Sequence, residues 1–138
     1  MDFLRIGICD DEVEDLSQVL DMVSRYDVNK QLNTASFLNA NDLFLSFKQN
    51  VFDIVILDIE MEPPSGFDIA KVLISSETPP VIIFVTKSNA YALKGYGVAI
   101  RYLQKPIRQS EFFEAMDAAI ADATAHRLTF QLESTLVS

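Results

Sequence analysis

Four consecutive aliphatic residues, Ile54-Val55-Ile56-Leu57, end abruptly on Asp58 and a loop, residues 59–66, that carries Pro63 and Pro64. The run is far too short to span a membrane, and it lacks the polar alternation of a strand with one wet face. Both of its faces must be covered, which is the condition of a central strand in a parallel sheet. Asp58 then stands at the carboxyl end of that strand, the edge where open α/β sheets hold ligands and chemistry. A role as cap for the following helix is the competing reading, but that helix starts near Ser65, too far along the chain.

The remaining elements follow from the same patterning. Leu4 to Cys9 reads as a first strand ending at Asp10-Asp11, and Val13, Leu16, Val19, Leu20 and Val23 recur at helical spacing up to about Tyr26. Glu12, Glu14 and Asp15 crowd the start of that helix, where its dipole favours anions. Leu32 to Phe37 alternates like an edge strand, and Asn39 or Asn41 caps a short helix carrying Leu43, Phe44 and Phe47. After Gly66 a third helix runs through Ile69, Ala70, Leu73 and Ile74 and is stopped by Pro79-Pro80. Val81 to Val85 is a second doubly buried strand, ending at Thr86. A short fourth helix from Ala90 to about Gly95, a fifth strand over residues 100–103 and the stop Lys105-Pro106 follow. Ser110 is expected to cap a last helix with Phe112, Phe113, Met116, Ala119, Ile120 and Ala123 inward, ending near His126, a cation that suits the dipole there.

Strands alternating with helices demand right-handed crossovers and a parallel sheet. The expected fold is therefore a five-stranded parallel sheet with helices on both faces, a doubly wound (βα)5 α/β domain over residues 1–126. Residues 127–138 depart from the repeat: Leu128 to Leu132 alternates like a further strand, in a linker or the start of an output domain. A formal net charge of −9 argues against direct binding to a phosphate backbone, and the single cysteine, Cys9, excludes an internal disulfide. No signal peptide or membrane span is apparent, so the expectation is a cytoplasmic domain with no membrane partner.

Aligning the strand ends brings the chemistry together. Asp10, Asp11, Asp58, Thr86 and Lys105 all fall on one edge of the sheet. Three converging carboxylates repel one another unless a hard cation lies between them, and Mg²⁺ suits oxygen ligands of this kind. A lysine and a hydroxyl beside it are groups that bind phosphoryl oxygens. The carboxylate of Asp58, free to attack, would form an acyl phosphate.

In these motifs and their order the chain resembles the receiver domains of two-component response regulators, over about residues 3 to 125. The stretches Leu57-Asp58-Ile59-Glu60-Met61 and Tyr102-Leu103-Gln104-Lys105-Pro106-Ile107 are similar to the LytTR-type (LytR/AgrA-like) subfamily. The resemblance implies that Asp58 is the phosphoacceptor, and that Asp10, Asp11, Asp58 and the backbone carbonyl of Glu60 hold Mg²⁺. Gly66 corresponds to the glycine closing the loop after the acceptor, Thr86 to the switch hydroxyl and Tyr102 to the aromatic switch. Lys105 corresponds to the phosphate-binding lysine, followed by a cis peptide to Pro106. It further implies a sensor histidine kinase as donor and a DNA-binding output domain that this chain does not contain. Homodimers would form through the face of the fourth helix, fifth strand and fifth helix, carrying Lys94, Arg101, Tyr102 and Gln109. Such a domain is not an enzyme in the ordinary sense; it catalyses only its own phosphorylation and dephosphorylation.

Three departures stand out. Glu62 occupies the position where the family commonly has proline, Lys87 replaces a small residue after Thr86, and Gly95 to Ala99 is one residue short. Lys87 is expected beside the phosphoryl site, where its charge or bulk would lengthen the phosphorylated lifetime. Two alternatives compete: a pseudo-receiver acting purely as an interaction module, and a Mg²⁺-dependent aspartyl phosphatase, whose Asp-x-Asp motif Asp58-Ile59-Glu60 does not supply.

Overall fold

A computed structural model describes residues 3–29, 31–88 and 101–137. The strands are β1 (Leu4–Cys9), β2 (Leu32–Phe37), β3 (Ile54–Asp58), β4 (Val81–Thr86) and β5 (Arg101–Gln104). They form one parallel sheet in the order β2-β1-β3-β4-β5. The helices are α1 (Val13–Tyr26), α2 (Ala40–Gln49), α3 (Gly66–Ile74) and α4 (Gln109–Val137). The helix expected between β4 and β5, with Lys94 and the glycines at Gly95 and Gly97, lies outside the described residues.

Both faces of β3 and β4 are covered, as an unbroken aliphatic run requires: every residue of each is buried. Alternate side chains divide the core into two layers. Ile54 and Ile56 join Ile6, Ile8, Ile83 and Val85 under Leu16, Val19 and Val23 of α1 and Phe112, Met116 and Ala119 of α4. Val55 and Leu57 join Ile82 and Phe84 on the opposite face, beneath Leu43 of α2 and Ile69, Ala70 and Leu73 of α3. Each such side chain taken fully from water favours the fold by about 1.5–3 kcal/mol. Phe52, just before β3, fills the second layer, and a Cβ on Gly7 would lie 3.0 Å from its ring, so the absent side chain makes room for it.

Local chemistry sets the helix starts. Asn39 accepts the Asp42 N–H at 2.8 Å, and Ser65 with Asp68 forms a reciprocal capping box. The last helix differs from expectation at both ends. It starts at Gln109, with the Phe112 N–H bonded to the Arg108 carbonyl at 2.9 Å, so Ser110 lies inside the first turn rather than capping it. It also runs for 29 residues, so residues 128–132 are helical and not a strand, and His126 is interior. The reason is in the sequence: after Pro106 there is neither Gly nor Pro, and the alanine-rich stretch from Ala118 to Ala125 offers no stop. Leu128 and Leu132, which suggested alternation, are also four apart and share one helix face.

Beyond the sheet this helix is clamped. Arg127 makes two 2.8 Å bonds to the carboxylate of Asp53, at the start of β3, and donates to the Phe3 carbonyl at 3.0 Å. Among the described residues no helix is long and apolar enough to cross a membrane.

Candidate functional site

The chain leaves β1 toward β2 on one side and returns through β3 to β4 and β5 on the other. The carboxyl ends of β1 and β3 are therefore the point where strand order reverses, and a crevice opens there. Asp10 follows β1 and Asp58 ends β3; they are only 2% and 4% exposed. Asp11 is exposed, yet one carboxylate oxygen from each of Asp10, Asp11 and Asp58 lies within 4.8 Å of the other two.

Each carboxylate is oriented by a separate backbone contact. Asp10 Oδ1 accepts the Glu12 N–H at 2.9 Å, where α1 begins without a side-chain cap of its own. Asp11 Oδ2 accepts the Glu62 N–H at 3.1 Å, which ties the β1 end to the loop after β3. Among the described residues Asp58 Oδ1 accepts only a long bond, 3.3 Å, from the Glu60 N–H. Gly66 folds that loop back, its N–H bonded to the Ile59 carbonyl at 3.1 Å. A Cβ there would fall on the Asp58 carbonyl oxygen and lie 2.8 Å from Ile59 Cα, so the close approach requires glycine.

Lys105, delivered by β5, supplies the counter-charge. Its ammonium lies 2.9 Å from Asp10 Oδ2, 2.8 Å from Asp15 Oδ2 and 3.6 Å from Asp58 Oδ1. Burial works against the charged lysine, but the bonds to Asp15 and Asp10 outweigh it and raise its pKa. The bond from Lys105 holds Asp15 below the usual carboxylate range. Asp58 is moved the other way. Desolvation, reinforced by the neighbouring Asp10, lifts its pKa to about 6, with Lys105 and the Glu60 N–H only partly opposing.

Thr86 stands at the end of β4, buried, with its hydroxyl donating to Glu60 Oε1 at 2.7 Å and accepting the Ser88 N–H at 3.1 Å. Tyr102 is half-buried against Phe84, ring centroids 5.3 Å apart, and its Oη is buried without a hydrogen-bond partner among the described residues. The Lys105–Pro106 peptide is cis, as is Pro63–Pro64. Lys87 leaves the edge with a largely exposed side chain, and its ammonium comes within 3.9 Å of Asp15.

The edge therefore brings together Asp10, Asp11, Asp58 and Lys105, places Thr86 against Glu60, and leaves Lys87 and Tyr102 at its margins. Sequence reasoning missed Asp15, which it assigned to the helix dipole alone. It lies in the first turn of α1, just after the carboxyl end of β1, but only the position of Lys105 reveals the contact. It also missed the side chain of Glu60, which holds the Thr86 hydroxyl. Chemically, three oxygen donors around a small volume suit a hard divalent cation, and the under-coordinated, desolvated carboxylate of Asp58 suits nucleophilic attack.

Comparison with known proteins identifies the family and the fold. Residues 6–117 match the family described as response regulator receiver domain. The chain is 32% identical over 114 residues to the sensory transduction protein LytT of Bacillus subtilis (strain 168), covering 82% of this chain and 46% of that protein. It is 30% identical over 110 residues to the sensory transduction protein LytR of Streptococcus agalactiae serotype V, covering 77% and 44%. The chain thus spans about half the length of these relatives, 46% and 44%. In fold it is similar to the response regulatory domain of protein mrkE from Klebsiella pneumoniae, with a TM-score of 0.79, 19% identity and coverage of 88% and 99%. A match over most of the chain, the doubly wound sheet and relatives of the LytT/LytR type lead to one conclusion: this chain belongs to the receiver domains of two-component response regulators.

Proposed function

We propose that Asp58 is a phosphoacceptor that takes a phosphoryl group from the phosphohistidine of a sensor kinase, in the cytoplasm, and relays the signal to a DNA-binding output domain. The observation that carries this reading is the state of Asp58: a buried carboxylate at the crevice, beside two others and a lysine, with only one long hydrogen bond among the described residues. An oxygen so poorly engaged keeps its lone pairs for phosphorus. As the new O–P bond forms, the donor's P–N bond breaks and its electron pair stays on the imidazole nitrogen. Thr86 and Lys105 are the groups placed to bind the phosphoryl oxygens. For the hydroxyl this means exchanging its bond to Glu60, and for the lysine loosening its bonds to Asp10 and Asp15.

The carboxylates of Asp10, Asp11 and Asp58, with the Glu60 carbonyl, would hold Mg²⁺. The cluster fits it, since all donors are oxygens and one of the three carboxylates is open to solvent. When bound, the ion neutralises charge on the phosphoryl oxygens. The signal would leave through the face that includes Arg101, Tyr102 and Gln109, and self-association through that face is expected to strengthen on phosphorylation.

Incubation with Mg²⁺ and acetyl phosphate, followed by intact mass measurement, tests the assignment. One phosphoryl adduct is expected in the wild type and none in Asp58→Asn; an adduct of equal yield in the variant overturns it. For the metal, Mg²⁺ should raise the melting temperature of the wild type and leave Asp11→Ala unchanged. Asp11→Ala stabilised equally by Mg²⁺ removes Asp11 from the ligand set. The same mass measurement separates this function from a pseudo-receiver, which would take no phosphoryl group.

A further inference from the structure

We infer that Asp15 is a positioning residue for phosphoryl transfer: it holds the Lys105 ammonium off Asp58 and so limits how readily the site accepts a phosphoryl group. This rests on the reading of Asp58 as phosphoacceptor. An ammonium has three protons to donate. Two of them are committed, to Asp10 at 2.9 Å and to Asp15 at 2.8 Å, while the 3.6 Å approach to Asp58 is outside hydrogen-bonding range. Asp15 is the outer of the two anchors. It belongs to α1, and its side chain is 18% exposed against 3% for Asp10, so it pulls the lysine toward the rim of the crevice.

The local charge makes the cost of this arrangement plain. Asp15 adds a further carboxylate to an edge that already carries Asp10, Asp11 and Asp58. Lys105 is nearly buried, and among the described residues only Lys87, two-thirds exposed, offers the same Asp15 oxygen a second cation, at 3.9 Å. The helix dipole does not require this contact, since Glu14 in the same turn already serves it from an exposed position. What Asp15 does that Glu14 does not is compete for the lysine. Incoming phosphoryl oxygens must draw Lys105 away from that carboxylate, and a neutral residue at position 15 removes the competitor.

The test compares wild type, Asp15→Asn and Asp15→Glu in the full chain with Mg²⁺ and acetyl phosphate. In Asp15→Asn the half-saturating acetyl phosphate concentration should fall by about three- to tenfold, and beryllofluoride affinity should rise by a similar factor. Asp15→Glu, which keeps the charge, should bring both back toward the wild-type values. In a Lys105→Met background the Asp15→Asn effect on beryllofluoride affinity should shrink to less than about twofold, because coupled residues are not additive. An effect that persists in full there is one of bulk charge and overturns the positioning role, as does an Asp15→Asn protein that matches wild type. Protein without Mg²⁺ or donor gives a second readout: the ¹H–¹⁵N signal of the Lys105 ammonium should shift or broaden in Asp15→Asn. An unmoved signal overturns the inference. If the wild type takes no phosphoryl group at all, the phosphoacceptor reading and this inference fail together. If it is phosphorylated on Asp58 and Asp15→Asn changes nothing, the inference alone fails.

Discussion

Strand β3 is flanked by two acidic residues, Asp53 before its first residue and Asp58 at its last, and they are treated in opposite ways. Asp53 accepts the Arg5 N–H at 2.7 Å and both arms of the Arg127 guanidinium at 2.8 Å. Asp58, more deeply buried, has one 3.3 Å bond and a lysine at 3.6 Å that is occupied elsewhere. Buried carboxylates that hold a fold together have their lone pairs filled. One left short beside two others is a liability for stability, and such shortfalls gather where a molecule does its chemistry. The strand thus carries a fully bonded carboxylate at one end and a sparsely bonded one at the other.

If the comparison is right, substitutions at the two ends have opposite signs. The largest effect is at Asp53. Asp53→Ala strips the bidentate partner from Arg127 and the acceptor from a strand N–H, and should cost about 2–4 kcal/mol in urea unfolding. A loss below about 1 kcal/mol would break the contrast. At the other end, Asp58→Asn should stabilise the metal-free domain at pH 7, by about 1–3 kcal/mol, since it removes a desolvated charge. A destabilised Asp58→Asn protein would place Asp58 with Asp53.

The pH dependence sharpens the same point. The folded-state pKa of Asp58, about 6, lies above its ordinary value of 3.8, so the folded protein binds the proton more tightly than the unfolded chain. Its contribution to stability is therefore fully present below about pH 4 and is lost as pH rises through 6. Asp15 is shifted downward and contributes in the reverse sense, above the ordinary carboxylate pKa, but it is common to both proteins. In metal-free buffer the advantage of Asp58→Asn over wild type should shrink between pH 7 and pH 5; an advantage constant with pH contradicts the assignment. The smallest effect is expected at the margin of the reactive end. Lys87 is largely exposed and reaches Asp15 only at 3.9 Å, so Lys87→Ala should lose its phosphoryl group about twofold faster than wild type. An unchanged rate confines the reactive edge to the groups inside Asp15.

The contrast between these ends also marks what the sequence could and could not convey. The strand ends were legible because β3 and β4 are doubly buried runs that break at a polar residue, and parallel topology then forces Asp10, Asp58, Thr86 and Lys105 onto one edge. The cap at Asn39, one of the two asparagines expected there, and the helix start near Ser65 were legible because capping is a contact over three residues. Asp15 was not, because its partner is 90 residues away and a helix start explains an acidic residue well enough. Asp53 was passed over for the same reason: its partners Arg5 and Arg127 are brought to it only by the finished sheet and the long last helix. The strand read over residues 128–132 failed because five residues of period two cannot be told from a helix ridge when no breaker intervenes.

The Arg127–Asp53 clamp has a mechanical consequence. It pins α4 near the point where the helix leaves the sheet, and from there to Val137 the axis advances by about 15 Å at 1.5 Å per residue. A rod held at one end turns rotation into displacement: about 10° of tilt at the clamp carries the tip by about 2–3 Å, given that length. The fulcrum is Asp53, and Asp58 sits at the far end of the same short, fully buried strand. Strand and helix are thus two rigid members sharing one joint, with the carboxylate of Asp58 at the end of one and the last turns of α4 at the end of the other.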